Sequence, residues 1–412
     1  MRKIIFYFPY KGIGGVSLLF QRLSDLLAKD RDVFLVDFRD GFMGKSVPDG
    51  VNFIDFELVS KYPENAILVI QSVAPWNILD LHKFPSDTRV LFWTLHPLNL
   101  YPFIFSLETS NYLKALIANL LLPISFFRKR KMAKIVRYLV SRNSLIFMDG
   151  ENYNTTAKFF SDTKIQKRLL PIFSTPGRIM DRAPGNVLRC CWIGRVVDFK
   201  VHILLHLIER LNAAVSKIGP IEMIVVGDGE ALEYLKKGLK KIHAVQVKFL
   251  QNVPPVELDS FVNGNIDVLF AMGTSALEGA SRAIPTFLLD YSFKPIKGIY
   301  RFRYLFDADD YSLAEEINAS HYEDVSSLED NLLNLRSNFN AIGMKGYEYW
   351  QLHFSPQAIL KEFPKYEASA TATISEMKEL GFLKADILSR LIKSGVRKFK
   401  RNIPSVHGFG ET

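Results

Sequence analysis

Short apolar runs, rich in β-branched and aromatic residues, alternate with longer stretches of helical period along most of the chain. Apolar runs of this length, bounded by Gly, Pro, Asn or Asp, read as buried strands. In the first half they are Ile4–Phe8, Val33–Phe38, Val51–Phe56, Ala66–Gln71, Val90–Thr94, Ser144–Met148 and Lys167–Ile172. In the second half they are Leu188–Ile193, Glu222–Val226, Gln246–Leu250, Asp267–Ala271 and Pro285–Leu289. Helical periodicity marks Val16–Leu27, Val201–Ala214, Glu230–Lys241, Val256–Val262 and Ser275–Arg282. Strands that alternate with helices build parallel sheets covered on both faces. Two such series predict an α/β protein of two doubly wound, Rossmann-like domains. The polar stretch Ser174–Asn186, with its Pro and Gly, is the expected join. The domains are then 1–182 and 183–345, with 346–412 returning to the first domain and ending in a basic tail.

A chain of 412 residues is too long for one ordinary core, which agrees with two domains. Its 48% hydrophobic and 23% charged residues describe a folded protein. The formal charge of +9 is unevenly placed. Residues 1–183 hold 25 Lys and Arg against 16 Asp and Glu, whereas the remainder is balanced at 27 against 27. The basic half should therefore meet an anionic surface or substrate. Between Glu108 and Asp149 there is no acid and there are eight bases, four of them in Arg128–Lys131. The apolar stretch Ala115–Phe127, interrupted by Asn119 and Pro123, is too short to span a bilayer but suits its interface. An anionic membrane surface is thus the expected partner of 112–142. The stretch 384–401, with seven bases and Asp386 as its only acid, is a second candidate. No nucleic-acid-binding motif accompanies either segment, so no nucleic-acid partner is expected.

The only cysteines, Cys190 and Cys191, are adjacent and cannot form an ordinary disulfide, which points to a reducing compartment. The N-terminal apolar run ends at Pro9 and Lys11 and reads as a strand, not a leader. The expected location is cytoplasmic, peripheral on the inner face of the plasma membrane. No Cys/His cluster has metal-ligand spacing. Asp307-Ala308-Asp309 reads as a cap before a helical stretch over Tyr311–Asn318, and Asp37 and Asp40 read as surface residues.

Candidate chemistry gathers at the carboxyl ends of the strands, where open α/β sheets bind ligands. After Leu188–Ile193 come Gly194-Arg195 and Lys200, leading into a helix. Two cations at a strand-to-helix turn can hold a diphosphate, one as a planar fork and one as a point charge. Gly227-Asp228-Gly229 follows the next strand, and Gly273, Thr274, Ser275 and Glu278 follow Asp267–Ala271. In the first half, Gly12, Gly14 and Gly15 follow the first strand and His96 follows Val90–Thr94. A dinucleotide fingerprint is not completed, because Leu18 stands where a small residue is needed.

The order and spacing of these residues across Leu188–Leu289 resemble the retaining family-4 glycosyltransferases of the GT-B fold. That family's GR-x4-K-G appears as Gly194-Arg195 … Lys200, with Val201 for the last glycine. Its GDG appears at 227–229, its F-x-G-x-V as Phe249 … Val253, and its S … L-E segment as Ser275 … Glu278. The resemblance implies two domains facing across a cleft and transfer of a hexose-type sugar from a nucleotide-diphosphate donor. The acceptor would be a lipid-linked or cell-surface glycan, configuration would be retained, and neither metal nor cofactor would be needed. It implies that Arg195 and Lys200 hold the leaving diphosphate, and that Glu278 accepts from the ribose hydroxyls. Gly273, Thr274 and Ser275 would offer backbone N–H groups to phosphate or sugar. Val253 would pack near the base and Gly227 would complete the donor loop. Gly14 and Gly15 would lie near phosphate and acceptor, His96 would serve the reacting centre, and Tyr347–Ser355 would be the crossover to the first domain. The family's first glutamate, eight residues before the second, is replaced by Phe270, so sugar contacts do not carry over. That departure leaves open a nucleotide-sugar epimerase of related fold or a non-catalytic nucleotide-binding subunit.

Overall fold

The structure is a computed structural model that describes residues 2–12, 14–101, 111–180, 183–251, 253–254, 257–324 and 327–384, with 111–125 and 327 as backbone only. The chain forms two compact units. One runs to Leu170 and resumes at Leu360; the other is Pro171–Ile359.

The first unit holds strands β1 (Lys3–Tyr7), β2 (Val33–Asp37), β3 (Asn52–Asp55), β4 (Ala66–Gln71), β5 (Arg89–Thr94) and β6 (Leu145–Phe147). They form one parallel sheet in the order β3-β2-β1-β4-β5-β6. Its helices are α1 (Gly15–Leu27), α2 (Phe42–Lys45), α3 (Asn111–Ser141) and α4 (Gly150–Phe159). Alternation along each strand divides the core. Ile5, Leu68, Val90, Phe92 and Phe147 pack with Met132, Ile135 and Leu139 of α3. Phe6 and Trp93 point the other way, onto Phe20 of α1, with ring centroids 5.2 and 6.4 Å away. Lys167–Ile172, expected as a strand, makes only a single bridge, from Leu169 to Phe147.

The second unit repeats the plan. Strands β7 (Leu188–Ile193), β8 (Ile221–Val226), β9 (Gln246–Leu250), β10 (Val268–Ala271) and β11 (Thr286–Leu288) are parallel in the order β9-β8-β7-β10-β11. A small antiparallel pair joins β12 (Ile299–Tyr300) to β14 (Tyr322–Glu323), and β13 (Arg303–Tyr304) closes the large sheet antiparallel to β11. The helices are α5 (Asp198–Ile218), α6 (Leu232–Gly238), α7 (Leu258–Asn265), α8 (Thr274–Ala280), α9 (Ser327–Ser337) and α10 (Phe339–His353). Cys190, Trp192, Met223, Val225 and Phe270 pack with Ile203, Leu207 and Leu211 of α5. Their sequence neighbours Cys191, Ile224 and Leu269 pack on the opposite face with Val262 of α7 and Ala276, Leu277 and Ala280 of α8. Both sheets are thus doubly wound, as the alternating pattern predicts.

Residues 171–180 pack with the second unit. Ser174 N–H donates to the Phe354 carbonyl at 3.0 Å, and Trp350 Nε1–H donates to Ser174 Oγ at 2.8 Å. The segment 347–355 therefore belongs to this unit, and the chain passes back at Ile359/Leu360, within α11 (Pro356–Ser369). There Glu367 pairs with Arg31 at 2.7 Å, and α12 (Ile374–Glu379) places Glu376 against Tyr138 at 2.6 Å. Among the described residues no helix is long and apolar enough to cross a membrane.

Candidate functional site

In the second sheet β8 follows β7 on one side and β10 flanks it on the other. The connections from β7 and from β10 leave in opposite directions, which makes the gap between them the switch point where such sheets bind ligands. Pairing of Trp192 with Phe270, and of Ile193 with Val226, sets the loop after each strand along one edge.

The loop after β7 is built by close backbone contact. Gly227 has φ +137°, and a Cβ there would lie 2.0 Å from the Gly194 carbonyl oxygen. A Cβ on Gly229 would lie 2.3 Å from the Val196 oxygen. Val196 N–H donates to the Asp228 carbonyl and Ala231 N–H to the Val196 carbonyl, both at 3.0 Å. Trp192 Nε1–H donates to the Gly194 carbonyl at 3.2 Å. Only glycine fits these approaches, so the glycines fix the loop that carries Arg195.

The result is a hollow of ≈ 490 Å³ lined by Ile193, Gly194, Arg195, Val226, Gly227, Asp228, Gly229, Val253 and Leu258. That volume suits a nucleotide-sized ligand. One wall is apolar, from Ile193, Val226, Val253 and Leu258; Arg195, exposed, stands at the other. Lys200 is half-buried in the first turn of α5, and burial and then the Arg195 charge push its ammonium pKa down. Its Nζ lies 5.5 Å from the Phe199 ring centroid. Among the described residues neither cation has an acidic partner within ion-pair distance. Two cations that repel one another without a counter-ion favour a bound anion. Two acids limit the charge: Asp228 accepts from Gly229 N–H, and Asp198 accepts from Phe199 N–H, each at 2.7 Å.

Gly273, with φ +64°, caps α8 at the same sheet edge, and its N–H donates to the Leu313 carbonyl at 2.7 Å. Thr274 is exposed, and Ser275 and Glu278 are half-buried. These four do not line the hollow. Glu278 Oε2 is paired with Arg282 Nη1 at 2.7 Å. Phe270 is fully buried in β10 and stacks on Phe287 at 4.9 Å, so its position faces the core.

In the first unit, Gly14 is the N-cap of α1 and exchanges hydrogen bonds with Ser17, whose Oγ accepts from Gly14 N–H at 3.1 Å. Gly15 is exposed, with no atom within 4 Å of a Cβ placed there. His96 is half-buried, and burial pushes its imidazole pKa down. Leu98 N–H donates to His96 Nδ1 at 3.1 Å. Nδ1 must then be unprotonated, so the neutral ring carries its proton on Nε2.

Three features differ from the sequence reading. Asp37 is not a surface residue: it is fully buried and accepts from the N–H groups of Tyr10, Phe38 and Met43 at 2.8–3.0 Å. Burial pushes its carboxyl pKa up to about 6. Asp40 does remain exposed, paired with Lys11 at 2.9 Å. Tyr311–Asn318 is not a helix, and Asp307 and Asp309 lie in short 3-10 turns. The buried Asp290 cluster was not legible in advance: Arg303 binds it through two hydrogen bonds at 2.7 and 3.0 Å, and Tyr300 donates at 2.7 Å. Its only sequence signal was an acid immediately after a strand.

Of the segment 112–142, expected to meet a membrane surface, side chains are described from residue 126 onward. Phe126 and Phe127 are 61% and 69% exposed, and Lys129, Arg130 and Lys134 are exposed on the same helix. Most of 384–401 lies outside the described residues.

No family model matches the chain, and no curated protein matches it in sequence. Solved structures do match. A glycosyltransferase from Rickettsia africae ESF-5 aligns with TM-score 0.52 at 12% identity, over 89% of this chain and 98% of that one. Anabaena HepE, in complex with UDP and glucose, aligns with TM-score 0.52 at 10% identity, over 90% and 100%. The chain spans about half of TarM, 54% of that protein's length, at 14% identity, 73% of its own length and TM-score 0.45. Two doubly wound sheets and full-length likeness to glycosyltransferase structures give this chain the GT-B fold.

Proposed function

We propose that the chain is a glycosyltransferase that moves a sugar from a nucleoside-diphosphate donor to a glycan or lipid-linked acceptor, with retention of configuration. The observation that carries this reading is the pair Arg195 and Lys200, cations without acidic partners among the described residues, beside a glycine-pinned hollow at the sheet's switch point. In the reaction the bond between the sugar's anomeric carbon and the diphosphate oxygen breaks. A bond to the acceptor oxygen forms on the same face, and the acceptor proton passes to the departing diphosphate. Arg195 and Lys200 neutralise the charge that grows on that leaving group, which is the largest expected contribution to rate. Val253 and Leu258 offer an apolar wall to the base. Gly273, Thr274 and Ser275 offer donors at the adjoining loop, and Glu278 an acceptor to the ribose. His96 donates from Nε2 to the reacting sugar, and Gly14 and Gly15 leave room for backbone approach to phosphate or acceptor.

The chain works in the cytoplasm at the inner face of the membrane, seated by Phe126 and Phe127 and by the neighbouring Lys and Arg residues, each of these bases worth about 1 kcal/mol near an anionic surface. The donor needs no metal or cofactor in this scheme. The test is transfer and donor hydrolysis by Arg195→Ala and Lys200→Ala. A large loss in both is expected, whereas near wild-type turnover in folded variants removes the reading. Product analysis without acceptor separates transfer from epimerisation. Tight nucleotide binding without turnover across acceptor pools would identify a binding subunit, the role that Phe270 keeps open.

A further inference from the structure

Arg282 lies outside every motif that marked the site, yet it occupies the junction behind it. Its side chain is 7% exposed. Nη1 donates to both the carbonyl oxygen and Oε2 of Glu278, each at 2.7 Å. Nε donates to Asp259 Oδ1 at 2.7 Å. Asp259 is on α7, next to Leu258 of the hollow's apolar wall. One guanidinium thus joins the helix that bears Glu278 to the helix that bears the wall. Room is kept for it: a Cβ on Gly177 would lie 2.3 Å from Arg282 Cγ.

The consequence for Glu278 is specific. A half-buried glutamate with both oxygens free would sample several rotamers, and ordering it would weaken any ligand contact. Here Oε2 is held, while Oε1 makes no hydrogen bond among the described residues. We propose that Arg282 is a positioning residue that presets Glu278 to accept from the ribose hydroxyls of the bound nucleotide, with Asp259 holding Arg282 in place. This rests on the nucleotide reading of the site and deepens it. A simple structural ion pair would lower the affinity of every nucleotide alike, whereas a positioning role separates ligands by their ribose hydroxyls.

The experiment measures binding of UDP and 2′,3′-dideoxy-UDP by calorimetry to the full chain and to Arg282→Lys, Arg282→Gln and the partly exposed Asp259→Asn. Wild type should prefer UDP roughly tenfold or more, the scale of a hydrogen bond to a charged group. Both Arg282 variants should reduce that preference to about threefold or less, mainly by weakening UDP. Asp259→Asn, which leaves the core intact, should reduce it in part. An unchanged preference in every variant that folds overturns the proposal, as does an equal loss for both ligands. If wild type binds neither nucleotide, nor GDP, ADP or CDP, the reading of the site itself fails. If it binds UDP and Glu278→Gln keeps the full preference, the ribose role of Glu278 fails.

Discussion

Substituting Gly227 by Ala tests whether backbone approach builds the site. Gly227 has φ +137°, and its Cβ would sit 2.0 Å from the Gly194 oxygen and 2.8 Å from the Gly194 carbonyl carbon. Both neighbours are backbone, so no side chain can swing aside. The conformation costs about 1–3 kcal/mol for a non-glycine residue. Forcing the loops apart adds about 1–3 kcal/mol. The sum, around 4 kcal/mol, corresponds to a melting temperature lower by roughly 8–16 °C in a unit of this length. Gly273→Ala is the internal control. Its φ is +64° and ψ −147°, but nothing lies within 4 Å of the added carbon, so only the backbone penalty of about 1–3 kcal/mol applies, without the clash. Gly15→Ala has neither penalty and should leave stability within about 0.5 kcal/mol. Differential scanning fluorimetry of the three variants gives the order. Nucleotide affinity should fall most in Gly227→Ala, because separating the loops moves Arg195. If Gly227→Ala melts with the wild type, the close approach is not what holds the loop.

Three further outcomes follow from the titrating groups. Lys200 has a lowered pKa, so the folded state binds its proton less tightly than the unfolded state. Its destabilising effect is present below the folded pKa and is relieved as pH rises toward 10.5. Lys200→Met should therefore raise the unliganded melting temperature at neutral pH while weakening nucleotide binding. His96, also lowered, should give transfer an acid limb with a pKa below 6.5, and His96→Gln should abolish that limb. Asp37 runs the opposite way: its pKa is raised to about 6, so its contribution is full below its unfolded value of 3.8 and is lost as pH rises through about 6. Urea unfolding of wild type minus Asp37→Asn should show that slope between these values, and a pH-independent difference would refute it.

The two sheets were legible because most strands are short apolar runs, and Gln246–Leu250 alternates polar and apolar as a sheet-edge strand does, patterns that need no distant partner to be recognised. Ala66–Gln71, Leu188–Ile193 and Gln246–Leu250 have the bounds the pattern predicts. Lys167–Ile172 opens on two bases and contains Pro171, which has no N–H to give a ladder, and it finds only one bridge. Around the hollow, Arg195 and Gly227 stood out as residues at strand ends along one edge, whereas Val253, which also lines it, came only from the resemblance of Phe249 … Val253 to a family segment. Glu278 was placed on its expected helix, but its bond to Arg282 was not anticipated, although the two are one helical turn apart. Asp37 and Asp290 were misjudged or missed for a common reason. An acid after a strand looks like a surface residue until the backbone N–H groups and the arginine that satisfy it are folded around it.

The central claim is that Arg195 and Lys200 grip a nucleoside diphosphate. The most direct test is calorimetric titration of UDP, GDP, ADP and CDP into wild type and into the folded Arg195→Ala and Lys200→Ala variants, with the matching nucleosides as reference. The account predicts that one diphosphate binds wild type far more tightly than its nucleoside, and that each variant loses most of that difference while nucleoside affinity is retained. A diphosphate that binds both variants as tightly as wild type would contradict it.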